Sequence, residues 1–216
     1  MTAKFVRARS DDQKRERRAT LLDGARRAVQ DKGVNKVSLS DFAKEAGIAK
    51  SAFYKYFSSK EEILAHILMQ EFQVITENLR SKTAGVRDIR ALAKEISYAF
   101  ADRPLAPEIL SEISRTLDQA TPLDRLIEIK RLFVETQRNW TEVILQSPLG
   151  FDVAGAKELV KSCYAYTAGL WPLTRERPDL LKAATEAGFR DTYGDFRSEM
   201  ERFIVLQCGG ILSESR

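Results

Sequence analysis

The chain has 216 residues, 44% hydrophobic and 31% charged, with 11 glycines and 6 prolines, a balance that fits a helix-rich globular protein and argues against disorder or a fibrous repeat. No apolar run approaches the roughly 18 residues of a membrane span, and the opening MTAKFVRARSDDQKRERR lacks the apolar stretch of a secretory signal, so a cytoplasmic protein with no membrane partner is expected. One histidine and two distant cysteines suggest neither a metal site nor a disulfide framework and close most routes to nucleophilic catalysis, so no cofactor and no enzymatic activity are expected.

Charge is unevenly placed. Residues 1–60 carry 15 Lys+Arg against 7 Asp+Glu, a net of +8, while the remainder carries a net of −4. The basic front end suits a polyanionic partner. Residues 1–11 read as a flexible basic tail, with Arg7 and Arg9 placed to lie along phosphates.

From Asp12 to Lys32, the apolar residues Ala19, Leu21, Leu22, Ala25, Ala28 and Val29 recur at three- and four-residue intervals, which predicts an amphipathic helix. Gly33 suits its C-terminal stop, with Val34 packing back on it. Ser38-x-x-Asp41 is a variant capping box that opens a second short helix, buried through Phe42, Ala43 and Ala46 and broken at Gly47. A third helix is expected from Lys50 to about Ser58. On its helical grid Phe53 and Phe57 share a face with Ala49 and face the core, Tyr54, Lys55 and Tyr56 fall on the flanks and outer side, and Lys50, Ser51 and Ala52 occupy the first turn. Two short helices joined by a glycine-containing turn form a helix-turn-helix, whose second helix presents its N-terminal residues to the major groove.

The span Arg17–Ala65 resembles the DNA-binding region of the tetracycline-repressor (TetR) family of bacterial transcription regulators. The matching pieces are the first helix ending at Gly33, Ser38-Leu39-Ser40-Asp41-Phe42-Ala43, Ala46-Gly47-Ile48, and Phe53-Tyr54-Lys55-Tyr56-Phe57 followed by Ser59-Lys60-Glu61-Glu62. The resemblance implies an all-α homodimer with an N-terminal three-helix DNA-binding domain, here 12–58, and a C-terminal helical-bundle domain for ligand binding and dimerisation, here 59–216. It also implies double-stranded DNA and an unidentified small-molecule effector as partners. By position, Ser38, Tyr54, Tyr56 and Lys60 look like phosphate contacts, and Lys50, Ser51, Ala52 and Lys55 like residues facing base edges or adjacent phosphates. Position 49 is alanine and position 51 serine, where the family often has serine and glycine.

Beyond Lys60 the pattern is helical throughout, near 60–81, 87–101, 104–119, 122–146, 152–174, 178–187 and 190–207. The last long helices, 154–173 and 189–206, mix small and large apolar residues and match the family's dimer-forming pair. Phe100, Phe133, Trp140, Tyr164 and Trp171 are the candidate effector-lining residues, with Trp140, Tyr164 and Trp171 offering polar tips that could orient a ligand. His66 is expected to cap a buried contact. A ligand-responsive repressor acting as a dimer on a palindromic operator is the function these features favour. A constitutive architectural DNA binder, and an enzyme using the C-terminal cavity, are the alternatives.

Overall fold

A computed structural model of the chain describes residues 2–175, 178–188 and 194–214, with the side chains of 2–13 and 180 outside the description. Ten α-helices and no strand occur among the described residues. They are α1 Thr2–Lys32, α2 Leu39–Glu45, α3 Lys50–Phe53, α4 Lys60–Thr83, α5 Ile89–Ala101, α6 Leu105–Ala120, α7 Leu123–Leu145, α8 Val153–Thr174, α9 Pro178–Glu186 and α10 Phe196–Glu214. The fold is all-α, as the 3.6-residue periodicity requires.

Three elements depart from the sequence expectations. Helix α1 is continuous from Thr2, where a flexible tail over 1–11 was expected; residues 2–18 contain neither glycine nor proline and are rich in good helix formers. Helix α3 spans only four residues instead of running to Ser58, because the aromatic run after Phe53 winds into tighter turns, Lys55 N to Ala52 O at 3.3 Å and Tyr56 N to Phe53 O at 3.0 Å. The expected start of the last helix at 190 lies outside the described residues. Its first described turn is capped by Asp195, whose Oδ1 accepts from the amides of Arg197 and Ser198 at 3.1 and 3.2 Å, and the helix continues to Glu214.

The chain forms two compact units. The first contains the residues up to Ile67 together with Arg115–Ile129, and the second contains Leu68–Ser114 with the described residues from Lys130 onward. This division differs from the expected boundary at residue 59, since the first two turns of α4 and the α6–α7 junction join the N-terminal helices.

The first unit is built on the apolar stripe of α1. Leu21, Ala25, Ala28 and Val29 are at most 2% exposed and share a core with Phe42, Phe53, Phe57, Ile63 and Leu64. Phe53 links the rings, with centroids 6.3 Å from Phe42 and 5.5 Å from Phe57. Gly24 lets α1 approach α2, since a Cβ there would stand 3.0 Å from Ala46 Cα and N. Gly47, at φ +65°, makes the turn between α2 and α3.

In the second unit α10 packs against α5 and α8. Asp152 caps α8 by accepting from Gly155 N at 2.7 Å, and a Cβ on Gly155 would meet Ile211 of α10 at 2.5 Å. Cys163 and Cys208 are buried on these two helices, and burial raises both thiols, Cys208 to about 12, so they pack as small apolar residues.

Candidate nucleic-acid interface and aromatic cluster

Residues 50–57 separate by face. Phe53 is 1% and Phe57 0% exposed, whereas Lys50, Ser51, Tyr54 and Lys55 are exposed and Ala52 and Tyr56 half-buried. The rings anchor the segment, and its lysines and one tyrosine face solvent. This arrangement follows from the four-residue spacing of the phenylalanines, which survives the early end of α3 because Phe57 N still bonds to Phe53 O at 3.2 Å.

Two of the expected phosphate contacts hold structural bonds. Ser38 caps α2 in a reciprocal box: its amide donates to Asp41 Oδ2 at 2.9 Å, and its hydroxyl accepts from Asp41 N at 3.3 Å and donates to Oδ2 at 2.7 Å. Asp41 also receives the Lys32 ammonium, which with the Ser38 bonds holds its carboxyl down at about 2. Lys60 is half-buried, and its Nζ donates to Val34 O at 3.1 Å, pinning the loop after α1 to the start of α4.

Beneath the segment lies a polar network of which the sequence shows only the serine cap at the start of α4; the burial of Glu62 and its arginine partners was missed. Glu62 is fully buried, and its Oε2 accepts from the amide and hydroxyl of Ser58 at 2.7 and 2.6 Å. Its Oε1 faces Arg18 Nη2 at 3.4 Å and Arg125 Nη1 at 4.0 Å. Ser59 Oγ accepts from Glu62 N at 3.0 Å and lies 3.1 Å from Thr121 Oγ1. The Arg18 guanidinium also sits 4.8 Å over the Phe57 ring and 2.6 Å from His66 Nε2. That contact requires His66 to accept at Nε2, so the ring is neutral; burial, then Arg18, lowers its pKa to about 4. His66 thus closes a structural bond in the first unit. The Ser59-x-x-Glu62 spacing was the available signal, since it is itself a capping-box pattern.

In the second unit Phe72, Phe100, Trp140 and Tyr164 form one ring cluster, with centroids 4.9 Å apart for Phe72 and Tyr164, 5.3 Å for Phe100 and Trp140, and 5.8 Å for Trp140 and Tyr164. Three of the candidate effector residues therefore meet. The other two lie apart: Phe133 is half-buried with Lys130 Nζ 6.0 Å from its ring, and Trp171 packs edge-on against Phe196 at 5.0 Å under the Arg175 guanidinium. Trp140 Nε1, Tyr164 Oη and Trp171 Nε1 are buried without a hydrogen-bonding protein group. A separate groove of about 320 Å³ runs between α4 and α7, lined by residues including Met69, Gln73, Thr76, Glu77, Leu132 and Thr136. Among the described residues no group of His, Cys, Asp and Glu side chains is placed to hold a metal, and no helix is long and apolar enough to cross a membrane.

Residues 21–67 match the family model described as bacterial regulatory proteins of the tetR family, and residues 69–215 match that described as a tetracyclin repressor-like C-terminal domain. The fatty acid metabolism regulator protein of Bacillus subtilis (strain 168) is 24% identical over 177 residues, covering 78% of this chain and 90% of that protein. Among solved structures, a TetR transcriptional regulator from Rhodococcus sp. RHA1 aligns with a TM-score of 0.56 at 15% identity, covering 94% of this chain and 98% of that one. The fatty acid degradation regulator FadR from Bacillus halodurans aligns with a TM-score of 0.55 at 14% identity, covering 89% and 98%. With both family models spanning nearly all of the chain, from the helix-turn-helix to α10, the protein belongs to the TetR family of DNA-binding transcriptional regulators and is not an enzyme.

Proposed function

We propose that the chain is a ligand-responsive repressor: a cytoplasmic homodimer that sets residues 50–56 of each protomer into successive major grooves of a partly palindromic operator and releases it when an effector occupies the body. The division of that short segment carries the proposal, with Phe53 and Phe57 sunk in the core and Lys50, Ser51, Tyr54 and Lys55 outward. The exposed lysines and Tyr54 bind phosphates, and Ser51 and Ala52 lie nearest the base edges. Ser38 and Lys60 act mainly by holding the head together, and the basic residues of 1–11 add phosphate contacts.

The dimer forms through α8 and α10, which expose Ala165, Gly169, Leu173, Leu206, Gly209 and Gly210, small and apolar side chains that let helices of a second copy approach closely. The effector binds among the body's aromatics, first Phe100, Trp140 and Tyr164, with Phe133 and Trp171 at the margins. Effector and operator are linked reciprocally, so a ligand with equal affinity for the bound and released conformations would switch nothing. The 24% identical relative named for fatty acid metabolism supports genes of lipid metabolism as the regulated set.

Selection of genomic fragments by the purified chain, followed by mobility-shift titration of the enriched site, tests this function. The expected result is a two-fold symmetric site bound by two protomers. Enrichment of no sequence above random fragments would defeat the proposal.

A further inference from the structure

Buried tyrosine hydroxyls and indole N–H groups ordinarily find a hydrogen-bond partner. Trp140, 1% exposed, and Tyr164, 9% exposed, break that rule within one cluster: neither Nε1 nor Oη reaches a protein acceptor. Their ring centroids are 5.8 Å apart, and both rings contact Phe72, at 6.4 and 4.9 Å. The two orphaned groups therefore belong to a single ring cluster.

Both groups are donors. An indole N–H can only donate, and burial, then Cys163, raises the Tyr164 phenol well above its usual range, so it keeps its proton. Their complement is an acceptor with two lone pairs. It must also be uncharged. Both donors are themselves neutral, and a carboxylate held by neutral donors alone would bury its charge without a paired cation, which is strongly disfavoured. A carbonyl oxygen meets both conditions, and the fully buried rings of Phe72 and Phe100 offer apolar surface to the rest of the molecule.

We propose that Trp140 Nε1 and Tyr164 Oη together hold the carbonyl oxygen of the effector, which is an uncharged, otherwise apolar carbonyl compound such as a ketone, ester or lactone. This deepens the proposed function and rests on its placing the effector among the body's aromatics. The two donors set specificity: an alkane leaves both unpaired, and a fatty acid anion satisfies them only by burying its charge.

Titration of the full chain with 2-nonanone, nonanoate and nonane, followed by the fluorescence of its two tryptophans and by melting temperature, tests the assignment. The ketone is expected to bind and to raise the melting temperature, with nonanoate at neutral pH and nonane each weaker by about tenfold or more. Tyr164→Phe is expected to weaken ketone binding by about tenfold without lowering the melting temperature of the ligand-free protein, because it removes a hydroxyl with no protein partner. Trp140→Phe should weaken the ketone similarly. Failure of wild-type protein to bind 2-nonanone, or undiminished ketone affinity in Tyr164→Phe, overturns the ligand class. A Tyr164→Phe variant that melts lower yet binds the ketone normally would assign the hydroxyl to a buried water and overturn the ligand class as well. Operator binding is measured on the same samples: if it persists while the ketone fails, only the ligand class falls, and if it is absent in the wild type, the regulatory function falls.

Discussion

At Gly24 a single hydrogen in place of a methyl sets the distance between two helices. The atoms that an added Cβ would meet are Ala46 Cα and N at 3.0 Å, backbone that cannot swing aside as a side chain can. Gly24→Val is therefore expected to destabilise the first unit by about 1–3 kcal/mol, read by urea unfolding, despite valine's better helix propensity. Lys60 and Lys55 separate by the same kind of detail. Lys60 Nζ holds Val34 O at 3.1 Å, whereas Lys55 is exposed. Lys60→Met should lower the melting temperature, by about 1 kcal/mol of stability for one missing hydrogen bond, and Lys55→Met should leave it unchanged. Equal melting temperatures for Lys60→Met and wild type would return Lys60 to the phosphate-binding role implied by its sequence position.

Helix α4 begins on a buried carboxylate, and the fate of that carboxylate marks what a sequence can display. The pattern of α1 was legible because burial of Leu21, Ala25, Ala28 and Val29 depends only on local periodicity. The same holds for the facing of Phe53 and Phe57, whereas the meeting of Phe100, Trp140 and Tyr164 depends on how α5, α7 and α8 pack. Glu62 instead reads locally as an acidic residue favourable to a helix N-terminus, whereas its burial depends on Arg18 and Arg125, partners far away in sequence. The length of α3 was illegible for a related reason: docking of Phe53 and Phe57 holds the segment in place, so it needs no full helix there. Glu62→Leu, which strips the charge that Arg18 and Ser58 address, is expected to cost about 3–5 kcal/mol. His66 gives this element a pH dependence. Its folded pKa of about 4 lies below the ordinary 6.5, so the unfolded chain binds the extra proton first, and stability falls as pH drops from about 6.5 towards about 4, by a few kcal/mol in all. His66→Gln should flatten urea unfolding free energy across that window; an unchanged slope would show that His66 is not the titrating group.

Over the whole molecule, charge and function divide along the chain. The first 60 residues carry a net +8 and the rest a net −4, so the end that bears the helix-turn-helix is the one whose charge favours a polyanion. Both family models agree with this division, meeting between residues 67 and 69, where the compact units also part within α4. A dimer doubles the basic face, so each lysine that touches phosphate counts twice in the salt dependence of operator binding. The most direct measurement is the slope of log affinity against log salt for the wild type and a Lys50→Ala/Lys55→Ala variant on one operator. The variant is expected to bind more weakly on every sequence, with a slope shallower by roughly 1 for each phosphate left without its lysine and an unchanged melting temperature. A folded variant with wild-type affinity and slope at all salt concentrations would contradict this, since the outward face of residues 50–56 would then not be the surface that meets DNA.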